Sequence, residues 1–430
     1  MRWLSPSCRR GARRPRERGA VAPLFAVLLA TVVMGMLALT VDVGSIMVER
    51  RSLQNGADAA SMALADVCAQ DEASCDPNDG ENDAMLTSLL EANTGSDGLS
   101  QLELDGNRPD TTNGQCARTP TGSSFPGMPE CLSASETADI AALNECPPVP
   151  AWLADEPEIP YVETYSRTLS EGGTSILPKY FAQTLVGTPP DSSVSACARA
   201  AWGAPTSYTG TIPITFSVCE WQYFMDDYGG YVAELPGPNG YGSGPGQTPW
   251  PTTDREKVIY LKASSSAEPK TCFYNGMNDF PGAFGFVTST GCVATVTTEG
   301  WVDTKTGTAV PNDCKPLLSG MHNTVVALPV FDCVQGGASA PTADIATLDC
   351  TDLGTGTQAW YHIAGWAKFY ISAVRAPSVN LLSGISGEAC SNSEVCLKGW
   401  FVKGSLEDVD SITAPDGDND FGTYAVLPAG

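Results

Sequence analysis

From Ala20 to Val41 the chain carries no charged residue. At about 1.5 Å of rise per residue these 22 positions reach roughly 33 Å, enough to cross a bilayer's hydrocarbon layer. Beyond them the apolar positions thin to a helical stripe, with Val43, Ile46, Met47, Leu53, Ala57, Ala60 and Leu64 at three- and four-residue spacing and Glu49, Asn55 and Asp58 elsewhere on the wheel. The pattern predicts a membrane-spanning helix over 20–41 continued as a rigid stalk over 42–69. A cleaved secretory signal is the competing reading, but its apolar core runs only about 7–15 residues.

Residues 70–150 lose this order. Asp, Asn, Gly, Thr and Pro dominate, as at 76–83 and 120–129, so a loop region tied by disulfides is expected, with one short helix over 84–92. Farther on the period becomes two. Val194, Ala196, Ala198, Ala200 and Trp202 alternate with polar neighbours, as do Ile212, Ile214, Phe216 and Val218, which is the signature of half-buried strands. More strands are expected at 161–168, 257–263, 292–302, 324–334, 360–374 and 395–404, and a single helix at 176–186. The fold class is therefore α+β or mainly β: a long N-terminal helix leading to a sandwich-like extracytoplasmic body at 151–430 of one or two domains.

Charge sets the orientation. Seven arginines against one glutamate give residues 1–19 a net charge of +6, which keeps that end cytoplasmic and sends the rest outward. The chain totals −25, so removing the leader's +6 leaves −31 for residues 20–430. Such an acidic exterior excludes charge-driven binding of nucleic acid or anionic lipid. Cysteine usage agrees: of 15 cysteines only Cys8 precedes the span, and the other fourteen form an even set where disulfides persist. Local bridges Cys68–Cys75 and Cys390–Cys396 are expected, while the remaining connectivity is not deducible from spacing.

The anchor's residues carry a resemblance. Arg-Gly-Ala-Val-Ala at 18–22, Val-Asp-Val-Gly closing the span at 41–44, and Arg-Arg-x-Leu-Gln-Asn-x-Ala-Asp-Ala-Ala at 50–60 resemble the TadE/TadG-like proteins of Flp (tight adherence) pilus assembly. The resemblance implies a single-pass, non-enzymatic component of pilus assembly whose partners are the bilayer, through residues 20–41, and other pilus or envelope proteins. Pilin-like members cut by a prepilin peptidase carry a glutamate five residues after the cleavage glycine; counted from Gly19, that place holds Leu24. A permanently anchored component fits better than a fibre subunit. A surface adhesin sharing the anchor is the alternative, and an envelope hydrolase a third class.

No catalytic, cofactor or metal residue is nominated. Asp191-x-Ser193-x-Ser195 has the spacing of a metal-dependent adhesion site, but Pro189 and Pro190 precede it where a buried strand should, so a turn entering a strand is the better reading. Asp416, Asp418 and Asp420 open like a calcium loop, yet Phe421 stands where glycine is needed and no glutamate closes it. Asp76, Asn78 and Asp79 read as solvated turn residues. Neither a Gly-x-Ser-x-Gly elbow nor a phosphate loop occurs. His362 is expected to pack among Trp360, Tyr361 and Trp366, and His322 to lie in a loop without a nominated partner. Asp42 is expected to reach headgroup water, pairing with a partner subunit's basic residue being the alternative. Ala26-x-x-x-Ala30 and Thr31-x-x-x-Gly35 offer small surfaces for close helix packing.

Overall fold

The computed structural model describes residues 21–93, 99–102, 114–120, 125–131, 146–169, 194–210, 214–227, 230–231, 255–262, 273–274, 277–278, 286–287, 294–305, 314–350, 358–376, 379–387, 389–391, 394–415 and 420–430. The Arg-rich leader, the helix expected at 176–186, and residues 191–193 and 416–418 lie outside them.

One continuous helix, α1 (Val21–Gln70), opens the chain. A second, α2 (Gly80–Ala92), follows a short Cys68–Cys75 loop. It begins earlier than its apolar residues suggest, because Asp79 caps it by accepting from the Glu81 amide and Glu81 and Asp83 fill its first turn. Strands β1 (Leu99–Leu102), β2 (Gln115–Arg118), β3 (Tyr161–Leu169) and β4 (Ser195–Pro205) come next, with the short helix α3 (Ala151–Ala154) before β3. After β5 (Ser207–Gly210) and β6 (Phe216–Ser217) stands α4 (Val218–Asp227). Then come β7 (Lys257–Lys262), β8 (Phe273–Tyr274), β9 (Met277–Asn278), β10 (Phe286–Val287), β11 (Ala294–Thr297) and β12 (Gly300–Lys305). Helix α5 (Lys315–Gly320) precedes β13 (Thr324–Gly336), β14 (Gln358–Ala376) and β15 (Val379–Leu381). The chain closes with β16 (Val395–Val402), β17 (Gly404–Ser405), β18 (Ile412–Thr413) and β19 (Thr423–Pro428).

Two mixed sheets build the body, and the class is α+β. The first runs β1-β3-β4-β19-β17, with β2 on β3 and β18 on β4; the second runs β10-β12-β14-β13-β6, with β15 and β16 on β14 and β7 on β16. Neighbouring residues of the first sheet divide between two cores, as period-two geometry requires. Val162, Ala200 and Trp202 pack with Ala60, Leu64 and Ala65 of α1, whereas Tyr161, Ala201 and Ala425 join the core that contains Phe216, Leu328, Trp366 and Phe401 of the second sheet. The first sheet is thus the middle layer between α1 and the second sheet.

That placement corrects three sequence readings. β4 is buried along both faces, not half-exposed, because helix covers one side and sheet the other. Residues 70–150 contribute β1 and β2 to the same sheet through pairing with β3, so they are more than loop. The strand expected through Val218 stops at Ser217, whose hydroxyl accepts from the Glu220 amide at 3.2 Å and starts α4. Ser217-x-x-Glu220 is a capping-box spacing, a start signal that outweighs the short alternating run before it. The run over 292–302 likewise breaks at Glu299, whose φ of 61° turns the chain between β11, paired with β5, and β12, paired with β14.

Candidate functional site: an apolar helix seated on a cross-linked body

Helix α1 has two unlike halves. Toward its N-terminus, Phe25, Leu28, Leu29, Val32, Met34, Met36 and Val41 are all at least half exposed. Its most apolar 18-residue window has a mean hydropathy of 2.2 and is long enough to cross a membrane; among the described residues no other helix is. So much unbroken apolar surface calls for lipid around it. Toward the C-terminus, Leu53, Ala57, Ala60, Leu64 and Cys68 are fully buried. This stripe, predicted to project as a stalk, lies on the protein's own sheet. Val43 and Met47, at its membrane end, stay exposed.

The seat is closely fitted. A Cβ on Gly56 would meet the Leu90 side chain at 3.1 Å, so glycine lets α2 approach. Gln54 Nε2 donates to the Cys197 carbonyl at 2.9 Å, Ser166 Oγ donates to the Leu53 carbonyl at 3.3 Å, and the Tyr424 hydroxyl donates to Asp66 Oδ1 at 2.9 Å. These bonds tie α1 to β3, β4 and β19. Asp42 and Glu49, seven residues apart on this side of the helix, are 5 % and 6 % exposed. Asp42 was expected to reach headgroup water, and its burial corrects that.

Disulfides fix the body from within. Cys68–Cys75 and Cys390–Cys396 pair as spacing suggests, and Cys116–Cys131, Cys146–Cys197 and Cys333–Cys350 add bridges that spacing alone does not determine. Cys219 and Cys314 are also disulfide-bonded, so every described cysteine is oxidised. Cys116 with Cys131, and Cys146 with Cys197, each lie within 4.8 Å of Glu163, the spacing of a metal cluster. Their sulfurs are committed to disulfides and offer no thiolate. Glu163 instead pairs with Arg199, directly opposite on β4, and accepts from the Tyr165 hydroxyl at 2.5 Å. Arg199 also donates to the carbonyls of Pro147 and Ala429, 3.2 Å away in each case, drawing the chain's last residues onto the sheet. A second buried pair, Lys257 with Glu220 at 2.6 Å, joins β7 to α4. Alternation along β3 and β4 hides both Glu163 and Arg199 among expected surface positions; only their register opposite each other reveals them.

The histidines have structural partners. His362 Nδ1 lies 2.7 Å from Asp332, which sits in a bulge of β13, and Nε2 lies 3.6 Å from Glu299. The ring of Trp301, on the paired strand, lies 5.2 Å away. Burial alone would lower its pKa, but the Asp332 hydrogen bond and the charges of Asp332 and Glu299 outweigh it and leave the pKa raised. Protonation therefore stabilises the fold: the contribution is full below the unfolded value of about 6.5 and disappears as pH climbs through the higher folded value. His362→Gln is expected to remove that segment of the stability–pH curve, measured by thermal unfolding between pH 5 and 9. His322 Nε2 is 3.0 Å from the carbonyls of both Ser372 and Leu382.

The other sequence candidates resolve into local structure. Ser195 is the first residue of β4. Asp420 accepts from the Gly422 amide, with Phe421 buried beside it. Asp76 accepts from Asn78 while Asp79 caps α2. Ser386 donates to Glu256 and accepts from Lys398 Nζ at 2.5 Å, but that ammonium also faces Glu256 at 3.7 Å.

What distinguishes the chain is one helix, apolar and uncovered at one end and bonded into an oxidised body at the other. Residues 19–66 match the family of putative Flp pilus-assembly TadE/G-like proteins. The match takes in the exposed half of α1 and most of its seat, and stops before the Cys68–Cys75 bridge. No curated protein and no solved structure matches the chain. The matched segment thus lies within the helix that docks on the first sheet.

Proposed function

We propose that this protein is a permanently anchored, non-enzymatic component of Flp/Tad-type pilus assembly. Residues 20–41 hold it in the cell membrane with the N-terminus cytoplasmic, and the body at 151–430 stands on the extracytoplasmic side to meet pilus or envelope proteins. One observation carries the reading: the segment matching pilus-assembly proteins is the helix that is both uncovered enough to need lipid and docked firmly enough to fix the body's position. Docking changes the expected mechanics. A free stalk would let the body swivel, whereas α1 seated on β3, β4 and β19 makes anchor and body one rigid unit. The fully oxidised described cysteines support an extracytoplasmic site.

Deleting the gene is expected to abolish surface fibres, counted by electron microscopy, and re-expression to restore them. Intact fibres with only attachment lost would contradict this role and favour the adhesin alternative.

A further inference from the structure

A cavity of about 190 Å³ lies where α1 ends against the first sheet. That is room for several waters or a small molecule. Its lining comes from four distant stretches of chain: Ala69 and Glu72 at the end of α1, Trp202 on β4, Lys403 between β16 and β17, and Asp420 and Thr423 at the start of β19. Nothing in the pilus-assembly reading uses it.

Two observations point to an occupant. Thr423 is 3 % exposed and lines the cavity, yet among the described residues its hydroxyl has no hydrogen-bond partner. An unpaired buried hydroxyl carries a desolvation cost that a bound polar group would offset. The charges, moreover, are divided. Glu72 and Asp420, both solvent-exposed at the rim, and the carbonyl end of the α1 dipole make one negative side, and Lys403, which also attracts Asp71, supplies a cation. A cation alone would meet the like charge of Lys403, and an anion alone would meet two carboxylates.

We propose that this cavity binds a small primary ammonium compound with an adjacent carboxylate or carbonyl, its ammonium toward Glu72 and Asp420, its carboxylate or carbonyl toward Lys403 and the Thr423 hydroxyl, and a short apolar stem toward Trp202. A free amino acid and the amino-terminal residue of a peptide share this chemistry.

The test uses the full chain in detergent micelles, titrated calorimetrically with alanine, with ethylamine, with propionate, and with an alanine tripeptide whose carboxyl end is amidated. Alanine or the tripeptide is expected to bind saturably, with ethylamine and propionate at least tenfold weaker. Alanine alone binding assigns a free amino acid; the tripeptide binding as tightly or more tightly assigns a peptide terminus. Thr423→Val is expected to weaken binding roughly tenfold while leaving the ligand-free melting temperature equal or higher, since it removes an unpaired buried group. Lys403→Gln should weaken it by roughly ten- to a hundredfold. Absence of saturable binding by both alanine and the tripeptide, or binding that neither substitution changes, would mean that the cleft holds only water and would overturn the proposal.

Discussion

Leu29→Arg combined with Val32→Arg is expected to keep α1 out of the bilayer. Both positions lie near the middle of the apolar span and are more than half exposed on the helix, at 62 % and 54 %, so neither arginine finds cover within the protein. At the centre of a spanning helix each arginine costs about 2.5–3.5 kcal/mol on insertion scales, while each leucine or valine lost contributes only about 0.3–0.6 kcal/mol. The pair therefore costs about 6 kcal/mol or more, enough to reverse insertion by several powers of ten. After carbonate washing the double variant should leave the membrane pellet. Met47→Arg is the matched control: Met47 is 60 % exposed on the same helix but beyond the span, and that variant should remain in the pellet. Equal retention of both variants would show that the apolar half of α1 is not the anchor.

Reduction of the disulfides is expected to unfold the body while sparing the apolar end of α1. Cys146–Cys197 joins positions 51 residues apart, and closing a loop of that size is worth about 4 kcal/mol on the chain-entropy scale. The other bridges contribute about 2–4 kcal/mol each, against a typical net stability of about 5–15 kcal/mol. Cys146→Ser with Cys197→Ser should lower the melting temperature by several degrees, and full reduction should erase near-ultraviolet circular dichroism at ambient temperature. Helical signal from residues 21–48 should persist, since lipid or detergent satisfies that half. An unchanged melt on full reduction would assign the stability to the two sheet cores instead.

The long N-terminal helix was legible in the sequence because a long uncharged run and a three-and-four spacing are local signals, read without knowing what they touch. Strand positions such as 161–168 and 395–404 were legible for the same reason. What covers an apolar stripe is not local. Leu53, Ala57, Ala60 and Leu64 announce a buried face, but nothing near them says that β3 and β4, more than a hundred residues on, form the cover. Glu163 and Arg199 are buried beside the Cys116–Cys131 and Cys146–Cys197 bridges, with Pro147 and Ala429 covering Arg199, contacts that alternation along the strands does not announce. Ser217-x-x-Glu220 was a readable start signal overshadowed by the alternation of Ile212, Ile214 and Phe216. The cavity at the end of α1 had no sequence signature at all, since Glu72, Trp202, Lys403 and Thr423 come together only after both cores have formed.

Seating α1 on the body also changes what its TadE/G-like segment contributes. A tether would hold the body within reach of its partners, whereas a docked helix sets the angle and height at which it is presented. Gly56, Gln54, Asp66 and the Cys68–Cys75 bridge are the residues that set it.

The most direct test of the account is topology in living cells. With alkaline phosphatase, active only outside the cytoplasm, or green fluorescent protein, expected to fluoresce only inside, fused after Gly430, phosphatase activity with a dark fluorescent fusion is the predicted result. A fluorescent fusion with silent phosphatase would place the disulfide-linked body in the cytosol and contradict the account.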